Sequence, residues 1–214
     1  MTFGGDRSGN TRGAAPSRIW LVVGAAVMLT LATVPVWREI VRAVPGKESL
    51  EAMDRQLRAT FPDIASIDGA ALARRLGRRD GPILLDVRSP EEFAVSRLPG
   101  AIRVDDDAID TEVLETIGPA IKGRDIIFYC SVGVRSTRLA HRIRATLVNR
   151  GAGAIANLSG GIFGWHNAGR RLVGPDGKTT DFLHPYDEEW GLLVKRRERI
   201  TYRPKNSERE APLQ

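Results

Sequence analysis

Short apolar runs alternate, from about Phe61 onward, with stretches whose apolar positions recur at helical spacing. Ile83-Leu84-Leu85-Asp86-Val87 and Ile126-Ile127-Phe128-Tyr129 are too short for helices and are bounded by turn residues, so they read as buried strands. Residues 64–67, 101–104 and 154–158 supply three more. Asp68 is placed to cap a helix running to about Leu76. Ser89-Pro90-Glu91-Glu92 offers an N-cap, a first-turn proline and an acidic capping-box position. A further helix is expected over 111–121. Leu139, Ala140, Ile143 and Leu147 form the apolar face of another that opens at Ser136. Gly160-Gly161 turns the last strand into a helix ending near Ala168. Such alternation predicts an α/β domain with a mainly parallel sheet, whose ligands bind at the C-terminal ends of strands.

The same pattern divides the chain. Residues 1–18 are polar and expected to be disordered. Residues 19–37, IWLVVGAAVMLTLATVPVW, carry no charge and have Trp20 and Trp37 near their ends, the length and flanks of one transmembrane helix. A cleaved signal peptide and a buried core helix are the competing readings, but no clean A-x-A site is present, and the segment is uniformly apolar between Arg18 and Arg38. Arg7, Arg12 and Arg18 before the segment nearly balance Arg38, Arg42, Lys47 and Arg55 after it. The usual signal-anchor arrangement places the domain outside the cytoplasm, as a single-pass membrane protein. Residues 38–60 are a linker and an amphipathic helix with Leu50, Met53 and Leu57 on one face, either a stalk or a helix packed on the domain. The α/β domain spans 61–173. Residues 174–214 are an extension that turns at 174–178 and is expected to pack through Phe182, Trp190 and Leu193. Its Lys195-Arg196-Arg197 cluster reads as a solvated helix face, and the last ten or so residues as disordered.

Composition changes this picture little. The 214 residues carry a net charge of +6, but the basic residues are spread along the chain without interleaved aromatics, which argues against nucleic-acid binding. One cysteine excludes an internal disulfide and Cys-based zinc sites, and His141, His166 and His184 lack metal-ligand spacing. No cofactor is expected. Gly151-x-Gly153 follows a helix and precedes a strand, the wrong order for a dinucleotide fingerprint, so a helix cap and turn accounts for it.

That cysteine, Cys130, ends a buried strand and is followed by Ser131-Val132-Gly133-Val134-Arg135-Ser136 and a helix. A helix N-terminus presents unpaired N–H groups and the positive end of its dipole, which favour a thiolate and stabilise an anion beside it. Arg135 adds a permanent positive charge. A buried structural cysteine is the plainer reading, but it would need neither Gly133 nor an arginine closing the loop.

Three segments together resemble the rhodanese family: Leu85-Asp86-Val87-Arg88-Ser89-Pro90-Glu91-Glu92-Phe93 running to Leu98-Pro99-Gly100-Ala101-Ile102; Phe128 to Ser136; and Leu158-Ser159-Gly160-Gly161-Ile162-Phe163-Gly164-Trp165 with Ala168-Gly169. The resemblance implies a five-stranded sheet with helices on both faces. It implies a sulfurtransferase whose Cys130 accepts sulfane sulfur as a persulfide from a small anionic donor such as thiosulfate and passes it to a thiol or cyanide-like acceptor. Ser131, Val132, Gly133, Val134, Arg135 and Ser136 would cradle the donor and the persulfide, with Arg135 steadying the anion. Asp86 and Arg88 would support the loop through an Arg88–Glu92 ion pair, and Trp165 would serve packing. Two departures stand out: Ser96-Arg97 where the family often has Gly-His, and Ser131-Val132 where thiosulfate users often carry a basic residue. Phosphatase or arsenate reductase activity is the alternative chemistry, but it resembles a Cys-x5-Arg loop, and this one is Cys-x4-Arg. A membrane-tethered binding or sensing module without turnover is the third reading.

Overall fold

In the computed structural model, which describes Met1 and residues 49–205, the apolar runs assemble into one five-stranded sheet. Its strands are β1 (Ala65–Ile67), β2 (Ile83–Asp86), β3 (Ile102–Arg103), β4 (Ile126–Tyr129) and β5 (Ile155–Leu158). The spatial order is β1-β5-β4-β2-β3, and every pairing is parallel. Every residue of β2, β4 and β5 is buried. That is why these strands read as continuous apolar runs rather than as polar–apolar alternation: both faces are covered.

Ahead of β1 lies α1 (Leu50–Thr60); α2 (Gly69–Arg75), α3 (Pro90–Val95), α4 (Asp110–Ile117) and α5 (Val134–Asn149) connect the strands, and α6 (Gly161–Asn167) follows β5. Asp68 caps α2, accepting from the Ala71 N–H at 2.7 Å. The helix expected over 111–121 instead breaks at Gly118, whose φ is +57°, and continues as a 3-10 turn over Gly118–Ile121. The helix after the cysteine opens at Val134, two residues earlier than the pattern suggested, because Gly133 takes the left-handed N-cap conformation. Leu139, Ala140, Ile143 and Leu147 are buried in one cluster with Ile126, Phe128 and Ile155.

The α1 helix packs on the domain rather than standing off as a stalk. Met53 is buried, and the Asp54 carboxylate accepts from Ser66 Oγ at 2.9 Å and pairs with Arg58. The membrane span expected over 19–37 lies outside the described residues, as do most of the 1–18 segment and the final residues. Among the described residues no helix is long and apolar enough to cross a membrane.

Beyond α6 the chain forms a hairpin of β6 (Leu172–Val173) and β7 (Thr179–Thr180) about the expected turn, then α7 (Glu188–Gly191) and a 3-10 turn over Arg197–Arg199. Arg97 and Val173 exchange main-chain hydrogen bonds at 3.0 and 2.9 Å, fastening the hairpin to the first motif. The anchors of this extension differ from expectation. Phe182, Trp190 and Leu193 are only half-buried, whereas Leu183 and Val194 are buried. The expected solvated helix face at 195–197 is not one helix: Lys195 and Arg197 are exposed, but only Arg197 enters the 3-10 turn. Arg196 is half-buried there, pairing with Asp181 at 3.5 Å and donating to the His166 carbonyl at 3.4 Å. Since cost follows burial, Leu183→Ala is expected to destabilise the protein by about 2–5 kcal/mol and Phe182→Ala by clearly less. Urea denaturation checks this, and equal losses would return the anchoring role to Phe182.

Candidate active site

The site begins with strand register. Asp86 at the end of β2 stands opposite Tyr129 at the end of β4, so the first motif and the thiol loop leave the sheet side by side. Asp86 and Arg88 are both fully buried and paired: Nε donates to Oδ1 at 2.9 Å and Nη2 to Oδ2 at 2.6 Å. Burial opposes the guanidinium charge, but Asp86 outweighs it and holds Arg88 above its ordinary pKa. Burial also pushes the Tyr129 phenol up, reinforced by the Asp86 charge. The remaining donors of Arg88 reach the main-chain carbonyls of Ser96, at 2.6 Å, and Glu92, at 3.3 Å. The ion pair expected between Arg88 and Glu92 is therefore replaced by Arg88–Asp86, and Arg88 meets Glu92 through its backbone. Its effect is to bind the middle of α3, at Glu92, and its C-cap, Ser96, to the strand end.

Glu92 is thereby free for other work. The capping box is present: Ser89 Oγ accepts from the Glu92 N–H, and the Glu92 carboxylate accepts from the Ser89 N–H at 3.0 Å. The same carboxylate takes Ser131 Oγ at 2.6 Å and both Nη atoms of Arg135 at 2.9 Å, an end-on bidentate pair. Burial works against its charge, but the hydrogen bonds from Arg135 and Ser131 prevail and lower its pKa below the usual carboxylate range. Arg135, held by Glu92 against its own desolvation, is shifted up.

Cys130 is 1 % exposed at the start of the loop, and the Gly133 N–H donates to its Sγ at 3.2 Å. That contact needs the Gly133 φ of +106°, and a Cβ there would lie 2.8 Å from Asn157 Nδ2. Ser136 Oγ donates to Asn157 Oδ1 at 2.7 Å, while Thr137 Oγ1 donates to the Gly133 carbonyl at 2.7 Å. The third motif closes the loop from behind. Gly161 comes so near the Cys130 and Ser131 carbonyls that a Cβ would overlap both, and those carbonyls accept from the Ile162 and Phe163 N–H groups at 2.9 and 3.0 Å.

The structure thus brings Cys130 and residues 131–136 into one loop and puts Asp86 and Arg88 behind it. Ser131 and Ser136 spend their hydroxyls on Glu92 and Asn157, and Val132 is buried. Trp165 is buried, donating from its indole to the Arg171 carbonyl at 2.9 Å. Sequence reasoning saw Glu92 as a helix cap and passed over Asn157. For Glu92 a signal existed: an acidic residue whose local partner, Ser89, leaves most of the carboxylate unused. For Asn157, a polar residue inside an apolar strand was the only mark. Among the described residues no group of three or more His, Cys, Asp or Glu side chains is arranged to hold a metal ion.

Because the native pKa of Glu92 is lowered, its stabilising contribution is complete above the ordinary carboxyl range and is lost as pH falls through the lower native value. Glu92→Gln should therefore cost about 1–3 kcal/mol at neutral pH, with the gap to wild type closing in acid. Urea midpoints across pH test this; a gap that stays constant would mean the carboxylate's charge is not what holds the loop.

The model of the rhodanese-like domain family matches residues 68–168. A sulfurtransferase from Allochromatium vinosum is 32% identical over 114 residues, covering 53% of this chain and 99% of that protein. An adenylyltransferase and sulfurtransferase from Pyricularia oryzae is 30% identical over 109 residues, 45% of this chain but only 22% of that protein. Among solved structures, a thiosulfate sulfurtransferase from Pseudomonas aeruginosa aligns over 69% of this chain and 26% of its own, at 23% identity and a TM-score of 0.44. With an identity that runs almost the whole length of the Allochromatium protein, and with the three motifs meeting around one cysteine, this chain belongs to the rhodanese-like domain family.

Proposed function

We propose that the protein is a sulfurtransferase that moves sulfane sulfur through a Cys130 persulfide to a thiol or cyanide-like acceptor. The observation that carries this reading is the Gly133 N–H aimed at Cys130 Sγ from the N-terminal end of the 16-residue α5. In the first half-reaction the Cys130 thiolate attacks the outer sulfur of the donor. A new S–S bond forms, the donor's own S–S bond breaks, and its electron pair leaves with the remainder, as sulfite from thiosulfate or as a thiolate from an organic persulfide. In the second, the acceptor attacks the outer sulfur of the persulfide, and the electron pair of the cleaved bond returns to Cys130. Neither step needs an external oxidant or reductant.

Several features support it. A nearly buried Sγ suits this chemistry, because an S–S bond of about 2.05 Å carries the transferable sulfur outward from the thiol. Loop N–H groups and the dipole of α5 stabilise the negative charge on that outer sulfur. The four residues between Cys130 and Arg135 suit one sulfur atom better than a tetrahedral oxyanion. The uncharged 19–37 segment, on its length and flanking tryptophans, is proposed as a single membrane anchor with the domain on the extracytoplasmic side. Such a protein stays in the pellet on alkaline carbonate extraction, and its release would refute the anchor.

Intact mass spectrometry of the protein after incubation with thiosulfate or an organic persulfide should show the gain of one sulfur, removed by cyanide and absent in Cys130→Ser. If no donor adds sulfur to Cys130, transfer is excluded and a binding or sensing role takes its place.

A further inference from the structure

The family match ends at residue 168, yet the chain beyond it returns to the thiol loop. The Tyr186 ring lies against the Arg135 guanidinium, with Cζ 4.8 Å from the ring centroid. Tyr186 is also the one non-glycine residue with positive φ among the described residues, at +70°, a conformation a bulky side chain adopts only at a cost. The surrounding contacts impose it. Leu183 is buried and exchanges main-chain hydrogen bonds with Arg199 and Thr201 at 2.9 and 3.0 Å. The His184 ring packs edge-on against Tyr202, and its Nδ1 accepts the Tyr186 N–H at 3.0 Å. Asp187 then caps α7, accepting from the Trp190 N–H at 2.8 Å.

We propose that Tyr186 is a specificity-determining residue: its ring roofs Arg135 and withholds the guanidinium from free inorganic dianions, tuning Cys130 toward sulfane sulfur carried on an organic thiol. This rests on the sulfur-transfer reading above. Both Nη atoms of Arg135 are committed to Glu92, with Nη2 also donating to Ser131 Oγ at 3.0 Å, and the aromatic ring occupies a face of the guanidinium. Arg88 is likewise neutralised by Asp86. The charge of Arg135 is thus shared between Glu92 and Cys130 before a sulfonate arrives, which weakens its pull on the anionic end of thiosulfate. An organic persulfide needs less. It reacts as the neutral R–S–SH, its outer sulfur attacked by the thiolate that the Gly133 N–H holds and its R–S⁻ leaving, and its organic part meets a tyrosine ring that is 48% exposed.

The test is the second-order rate of Cys130 persulfidation in the full chain, followed by intact mass, with thiosulfate and with cysteine persulfide as donors. Tyr186→Ala is expected to raise the thiosulfate rate about three- to tenfold, the scale of a lost cation–π contact, and to leave the cysteine persulfide rate unchanged or lower. Tyr186→Phe, which keeps the ring, should behave as wild type. Tyr186→Gly removes the ring while relieving the left-handed backbone; it should melt no lower than wild type and show the same donor shift as Tyr186→Ala. Equal changes with both donors, an unchanged donor ratio, or a Phe variant that behaves like Ala would overturn the role of the ring while leaving sulfur transfer intact. Persulfide formation with neither donor in any variant would overturn both.

Discussion

The Glu92 carboxylate is the interaction on which the active-site geometry depends. It lies on a six-residue helix, is 1 % exposed, and accepts from its own N-cap, from the Ser131 hydroxyl and from both ends of the Arg135 guanidinium. A buried carboxylate is tolerated only when its oxygens are occupied and its charge is matched. Here the groups that match it are Ser131 and Arg135 of the thiol loop. Satisfying Glu92 and shaping the loop are therefore the same event. The fold cannot bury α3 correctly without also drawing Arg135 inward and setting Gly133 over Cys130.

Glu92 could not act this way if α3 were free to tilt. Its direction is set one layer further in, by the Asp86–Arg88 pair. In isolation such a pair adds little net stability, because desolvating both charges offsets most of their attraction. Its value is directional. A planar guanidinium held by Asp86 on one side has donors left over for the carbonyls of Glu92 and Ser96, and it uses them to fix the middle and the C-cap of α3. The order of dependence runs from strand register to Asp86, to Arg88, to α3, to Glu92, and only then to the loop.

The sheet and the loop were legible in the sequence because both rest on local signals. Continuous apolar runs mark strands covered on both faces, and the Ser89-to-Glu92 spacing marks a capped helix whether or not its tertiary partners are known. What the pattern misjudged was long-range or conformational. The partner of Arg88 is two residues away across a tight turn rather than one helical turn ahead, and periodicity carries no information about that choice. The start of α5 shifted because a left-handed glycine can serve as an N-cap without a side-chain oxygen. The extension was anchored on its aromatics by expectation, yet Leu183 takes the buried position, since main-chain pairing with residues 199–201 turns Leu183 inward and leaves the Phe182 ring against Arg199 and Lys205.

The two flanking segments matter for the same reason. Leu57 of α1 lies where a Gly133 Cβ would meet it at 3.3 Å, and Tyr186 covers Arg135 from the C-terminal side. Neither segment belongs to the stretch matched to the family, and both reach the thiol loop, α1 while also bonded to β1 through Asp54 and Ser66. The sheet can only set where Cys130 stands. What reaches it is set by whatever lies over the loop, and in this chain that is supplied from outside the conserved architecture. On the proposed reading, a loop whose charges are paired internally, under an aromatic roof, would discriminate by contact with the carrier of the sulfur more than by attraction to its charge. Glu92 takes Arg135 to build the loop, and the same guanidinium stays within electrostatic reach of Cys130, so one side chain both shapes the loop and sets the charge beside the thiol.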